Sequence, residues 1–362
     1  MRKKNKNLLQ TGWDKEKEDR QKKNTNLNSV SSRQIVRNKN KQNIFEKILK
    51  AIIYGILFIA IPNYLKSSKV KGKEIVNSTY TKINSNEFAF VPAGYAMYLF
   101  LSFIPTLGLV IGVIGAINTQ FEIIIKVTIL GQLIPGIEKV IPAFADIWSS
   151  AGGTVAFILL TVSILWISSK GYSKFILSFD ALYEHKTSNA MWKARIKGFL
   201  TSIIITILLT AFLLIISSFL SFILKNVFNI TVDDTTTLKN LPWEFQLIFW
   251  IPTVLFLPII TYVAFLFFFK LAPNFRIKFS HVSPGAMIVA IPTSLYILIF
   301  GSLTSLINYN KFGVVASFMY IILLLSVMSY FIYIGAIVNS SFYKTFINLP
   351  IMEKSKWFSH KY

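Results

Sequence analysis

Residues able to do acid–base, nucleophilic or metal chemistry are few in this chain. It has 16 Asp and Glu, three His and no Cys among 362 residues. Without cysteine, no disulfide, thiolate nucleophile or cysteine-held metal or iron–sulfur centre can be built. His185, His281 and His360 are too scattered for a multi-histidine metal site, and the acidic pair Asp233–Asp234 has no histidine beside it. Metal-dependent phosphodiester cleavage needs oxygen or imidazole ligands converging on an ion and a positioned water. No compact Asp/Glu/His constellation offers them, so the expectation is a protein that is not an enzyme, with no metal, no cofactor and no catalytic residue.

The polar residues that recur inside apolar tracts are neutral. Tyr95, Ser102, Thr106, Ser163, Ser168, Ser169, Ser283, Thr293, Ser294, Ser326 and Asn339 could hydrogen-bond an uncharged solute or a lipid-like substrate. The commoner role for each such residue is to bond its own helix carbonyls and serve packing. Pro105, Pro252, Pro258 and Pro292 interrupt helical ladders and free carbonyls, either as simple kinks or as the broken helices of transporters.

The elements that must position these residues follow from separation of charge and grease. Hydrophobic residues make up 53% of the chain, yet its formal net charge is +22. A soluble chain would interleave the two, because each helix or strand needs a wet face. Here uncharged tracts run at Phe88–Ala116, Ala151–Ser169, Phe199–Leu224, Phe245–Phe269, Pro284–Leu306 and Gly313–Phe342. At 1.5 Å per residue, about 20 residues cross a hydrocarbon layer of roughly 30 Å. The fold class expected is all-α, a polytopic membrane bundle of about six transmembrane helices. Uniform apolar tracts exclude a β-barrel, whose strands would alternate in polarity.

Four regions result: a basic, disordered cytoplasmic tail over 1–44, an interfacial helix and basic loop over 45–87, the membrane domain over 88–342, and a cytoplasmic tail over 343–362. The first 41 residues hold 13 Lys/Arg against 4 Asp/Glu. The apolar stretch Ile48–Tyr64 is short, carries Lys50 and is closed by Pro62, which suits a helix lying in the interface, with a true span as the alternative. Residues 118–150 read as an external pair of amphipathic helices lying on the bundle. No cleavable targeting segment is expected, since the first apolar stretch begins some 47 residues in.

With the amino terminus inside, the inner connections hold 33 Lys/Arg and 10 Asp/Glu, and the outer ones 5 and 6. This is the asymmetry of the positive-inside rule. It places both termini in the cytoplasm. Gly108, Gly112, Gly115, Gly285, Gly301, Gly313 and Gly335 allow close helix approach, Gly108 and Gly112 at helix-pairing spacing.

The first span, GYAMYLFLSFIPTLGLVIG, resembles the opening motif of the YihY/BrkB family of bacterial inner-membrane proteins, with Tyr95 or Tyr98, Ser102 and Pro105 at its Tyr and Ser-x-x-Pro positions. Ile134–Pro135 is similar to the family's external Leu-Pro. FFFKLAPNFRIKFSHVSPGAMIVAI resembles its aromatic helix end, proline turn and Gly-Ala helix start, at Pro273, Arg276, Gly285 and Ala286. Phe312–Gly313 resembles the Tyr-Gly opening of the last helix, and IYIGAIVNS its terminal motif at Gly335–Ala336. The resemblance covers roughly 88–342. It departs where many relatives have Glu after Gly-Ala: Ile337 stands here, leaving Asn339 as a nearby polar candidate, and a Trp common earlier in that helix is missing. The family has carried a ribonuclease label, which this sequence does not support.

The resemblance and the composition imply a membrane protein of the bacterial inner membrane, either a transporter or lipid-handling protein or an envelope-organising, partner-binding scaffold. Its expected partners are anionic lipid at the cytoplasmic face and a membrane or envelope protein. With Trp13 its only aromatic residue, the basic tail has charge for phosphate but no base-reading motif, so nucleic acid is disfavoured. Arg276 and Lys278 would anchor their short loop at phosphate headgroups. Charge reversal at both should therefore disturb membrane orientation more than neutral substitution, as read by reporter tags flanking the loop; equal responses would count against the electrostatic role.

Overall fold

The computed structural model describes residues 44–133, 151–184, 190–230, 243–305 and 313–347. The chain divides into two units, Met1–Leu49 and Lys50–Tyr362; in the first, the described residues are the opening turns of a helix. Among the described residues the regular elements are all helical. They are α1 Ile44–Ala60, α2 Pro62–Ser67, α3 Lys69–Ile83, α4 Glu87–Ile117, α5 Thr119–Ile123, α6 Ala151–Leu182, α7 Ala190–Asn226, α8 Trp243–Leu271, α9 Phe279–Ser305 and α10 Gly313–Phe342. Six of them, α4 and α6 to α10, are long and apolar enough to cross a membrane. The molecule is a helical membrane bundle, as its uncharged tracts require.

The helices outrun the tracts. α6 continues to Leu182 and α7 begins at Ala190, although charges suggested ends at Ser169 and Phe199. Beyond Ser169 the helix becomes amphipathic, with Tyr172, Phe175, Ile176 and Phe179 buried and Lys170 and Lys174 exposed. Charge ended the greasy run there without ending the helix. α9 likewise starts at Phe279, so Pro284 lies inside it instead of opening it.

The basic stretch expected as a loop over 63–87 holds α2 and α3. Pro62 sits in the first turn of α2, where its missing N–H costs nothing, and Ser68 caps α3 by accepting from Lys71 N (3.3 Å). Leu65, Ile75, Val76 and Thr79 are buried, which gives these polar helices a face to pack. α3 lies along α10, where the hydroxyls of Ser78 and Ser341 are 3.2 Å apart.

Residues 119–133 also differ from expectation. Asn118 turns the chain after α4 and its side chain caps α5, accepting from Gln120 N at 2.8 Å. A π-helical stretch, Ile124–Leu130, and a last turn, Gly131–Leu133, follow. Glu122, Ile124, Ile125, Lys126, Thr128, Ile129 and Leu130 are buried against the bundle, so residues 122–130 belong to the packed core while Thr119 and Gln120 before them stay exposed. The second of the two expected helices falls on 134–150, outside the described residues, as do Ile134–Pro135 and most of both tails.

Backbone contact sets the main seams. A Cβ at Gly171 of α6 would meet the Tyr98 carbonyl and lie 2.8 Å from Ser102 Cβ on α4. One at Gly198 of α7 would lie 2.7 Å from the Ser169 carbonyl oxygen. Gly108 faces open space, so its spacing to Gly112 does not mark a seam. A valine at Gly171 should lower the thermal unfolding midpoint in detergent, by overpacking worth about 1–3 kcal/mol, whereas Gly108→Val should leave it within error.

Candidate functional site

At the basic end of the bundle, the connection between α8 and α9 is held from two sides. Asp180, buried near the end of α6, accepts from Asn274 N at 3.0 Å and from the Asn274 side-chain amide. Lys197 of α7 donates to the carbonyl oxygens of Ala272 (2.6 Å) and Pro273. Lys270 donates to the Ile277 carbonyl, closing the turn on itself. Pro273 and Phe275 are buried, Phe275 edge-on to Tyr183 at 5.1 Å, while Arg276 and Lys278 are exposed. The turn thus keeps two cations outward by burying the residues between and before them.

Just below, Lys344 and Glu184 form an ion pair at 2.6 Å, joining the end of α10 to that of α6. The Lys344 hydrogen bond and charge hold the Glu184 carboxyl below the ordinary carboxylate range. Lys82, half-buried at the end of α3, has its ammonium pushed below the usual lysine range by burial and then by Lys344.

Two Gly-Ala motifs meet at the α9–α10 crossing. A Cβ at Gly285 would collide with the Gly335 carbonyl and the Asn339 amide, and one at Gly335 would lie 2.7 Å from the Gly285 carbonyl oxygen. Ala286 and Ala336 are buried beside them. Gly285 N donates to Asn339 Oδ1 at 2.7 Å, and Asn339 Nδ2 is buried without a hydrogen-bond partner. Asn339 is therefore a strut between helices, and Ile337 is fully buried apolar packing. Gly313 opens α10, at the other end of that helix.

Tyr95 lies in an aromatic cluster formed by α4, α6, α8 and α10. Its ring meets Phe175 at 4.9 Å and Tyr333 at 5.6 Å, and its hydroxyl is 2.8 Å from Ser178 Oγ. Tyr98 is partly buried beside it, ring against Phe175 at 5.6 Å. Ser102 bonds the Tyr98 carbonyl at 2.7 Å, and Thr106 bonds the Ser102 carbonyl at 2.6 Å and Ser168 Oγ at 3.2 Å. Pro105 stands between them in an unbroken helix. Ser163, Ser169 and Ser294 bond carbonyls of their own helices, Ser283 pairs with the Tyr262 hydroxyl at 2.8 Å, and Thr293 is buried without a partner. Most of the neutral hydroxyls are thus occupied by helix geometry and seams.

The pair that sequence reading missed is Glu122–Lys126, on α5 and its π-helical continuation. Their ion pair is 2.6 Å long, with the residues 2% and 8% exposed. A Cβ at Gly115 would strike the Glu122 carboxylate, so that glycine makes room for it. The spacing of four residues was visible in FEIIIK, but a surface reading of 118–150 hid its meaning. Asp180, Asn274 and Lys197 were likewise counted only as loop residues. Among the described residues no group of three or more His, Asp and Glu could hold a metal ion.

Asp180→Leu should leave the Asn274 amide groups unsatisfied, costing on the order of 1–3 kcal/mol. Because the chain has no cysteine, a single Lys278→Cys provides a unique probe of the turn. Thiol labelling at that position should be faster in the Asp180→Leu background; an unchanged rate would show that the clamp does not hold the loop.

Comparison with known proteins finds one family and no individual relative. No curated protein and no solved structure matches the chain. The family model described as virulence factor BrkB matches residues 79–349, which run from the end of α3 past the end of α10. The chain belongs to the BrkB family of membrane proteins.

Proposed function

We propose that this protein is a transporter or lipid-handling protein, and that residues 119–133 are its working element. The observation that carries the reading is the Glu122–Lys126 pair, buried where α5 passes into a π-helical segment, the whole folded back against α4, α7 and α9. π-Helical turns are uncommon and concentrate at functional sites. A buried ion pair is no aid to stability compared with apolar residues of the same volume. Ionisable groups within a membrane bundle belong by default to substrate or ion paths, and irregular helix persists there where protein or a cavity surrounds it.

The neutral polar groups carry less of the argument than their number suggested, because helix carbonyls and neighbouring helices already engage most of them. A charged or zwitterionic group on the solute or lipid suits a Glu–Lys pair better than a wholly neutral one. The residues bear no catalytic role in this reading.

The rest of the proposal concerns placement. The protein sits in a bacterial inner membrane with both termini in the cytoplasm, following its charge asymmetry. α1 lies in the interface: Ile52, Phe58 and Ile59 are exposed while Ile53 and Leu57 are buried, so one apolar face is left for lipid. The basic tail adds attraction to anionic headgroups of about 1 kcal/mol per residue close to the surface.

Purified protein in vesicles, challenged with neutral, anionic and zwitterionic solutes and labelled phospholipids, tests this. Removing one partner of the pair should destabilise the protein by about 3–5 kcal/mol. The double variant Glu122→Gln with Lys126→Met should fold with a near-native midpoint and lose flux at least tenfold. Undiminished flux in that variant would remove the pair from the mechanism. No flux of any probe by the native protein, together with a stably copurifying envelope protein, would favour the scaffold role.

A further inference from the structure

The seam between α6 and α7 holds an arginine with too few partners. Arg195 lays its guanidinium over the Trp166 ring, 4.6 Å from the centroid, and donates Nη2 to the Trp166 carbonyl at 3.2 Å. Its Nε is buried and makes no hydrogen bond, and among the described residues no carboxylate pairs with it, which leaves the Nη groups as the donors a ligand can reach. An arginine fork has five N–H donors, so most are unused by protein.

Depth can be read from the helix itself. Between Arg195 and Lys225, α7 has only one other charged residue, Lys197, whose ammonium is turned to the Ala272 and Pro273 carbonyls. Thirty residues of helix span about 45 Å, close to the roughly 40–45 Å of a bilayer with its headgroups. Arg195 and Lys225 therefore fall at opposite headgroup layers. Lipid-facing side chains between them, Leu200, Ile204, Ile207, Leu208, Ile215 and Phe219, are apolar and exposed.

The surroundings of Arg195 suit a phosphate. Trp166 (52% exposed) and Trp192 (76% exposed) give the interfacial aromatic surface, and Lys170 stands exposed one turn beyond Trp166. α7 has no acidic residue, and the only one on α6, Asp180, is buried against Asn274. Stacking on Trp166 fixes the plane of the fork, which favours bidentate phosphate binding over the looser contact of a lysine.

We propose that Arg195, stacked on Trp166 and assisted by Lys170, binds the headgroup phosphate of an anionic phospholipid on the α6–α7 seam. The site requires a phosphodiester at the membrane surface, with no particular leaflet and no transport activity. Its failure is thus separate from failure of the function proposed above.

The full-length protein, delipidated in mild detergent, is titrated with phosphatidylglycerol, phosphatidylcholine or inorganic phosphate. Bound lipid is counted by native mass spectrometry, and the thermal midpoint is followed in parallel. Phosphatidylglycerol should bind the native protein and raise its midpoint by several degrees, with phosphatidylcholine weaker. Arg195→Gln should weaken that binding at least tenfold, Arg195→Lys and Trp166→Leu should give intermediate losses, and Lys225→Gln at the opposite end should leave it unchanged. Equal losses for Arg195→Gln and Lys225→Gln would mean charge alone, overturning the site. Equal stabilisation by inorganic phosphate would overturn the lipid assignment. Should Arg195→Gln fail to fold, Arg195→Lys and Trp166→Leu decide, and native-like binding in both would overturn the proposal.

Discussion

Hydrocarbon gives a peptide group or a charge nothing to bond with, and most of this molecule follows from that fact. Six long helices keep their backbone groups in internal ladders. Hydroxyls on them turn back to carbonyls three or four residues earlier, as Ser102, Thr106 and Ser163 do. Three charges within the helical framework are held by partners there: Asp180 by Asn274, Lys197 by two carbonyls and Glu122 by Lys126. Exposed cations, among them Lys170, Lys174, Arg276 and Lys278, gather at the basic end.

Since lipid tails are as apolar as leucine, greasiness does not hold these helices to one another. Close approach and ring contact take over that task. Gly171 and Gly198 bring α4, α6 and α7 to backbone distance, Gly285 and Gly335 do so for α9 and α10, and the rings around Tyr95 tie α4, α6, α8 and α10 together. The polar turn between α8 and α9 is then fastened across the end by Asp180 and Lys197. The same residues that read as family motifs in the chain are thus largely the residues of the seams.

Class, span number and the order of motifs were legible because the cost of charge in oil is large and local in sequence. Helix ends were not, since an amphipathic extension such as 170–182 looks like a loop when judged by charge alone. Gly285 and Gly335 could be picked out as small residues, but so could Gly108, which touches nothing; only the crossing separates them. Asp180 and Asn274 are 94 positions apart, and no local pattern joins them. Glu122 and Lys126 were close enough to notice, but their meaning depends on the turn at Asn118, which sends an apparent surface segment into the core.

The crossing of α9 and α10 has a mechanical corollary. Where one main chain rests on another, Asn339 bolts the joint through Gly285 N and the Val289 side chain packs over Gly335, so the helices cannot slide there without breaking that contact. Such a joint is stiff in shear. Farther along, the same two helices meet through the rings of Phe300 and Tyr320, 4.7 Å apart, so the Gly285–Gly335 joint is the fixed pivot and any give between them falls to that larger, rotatable contact.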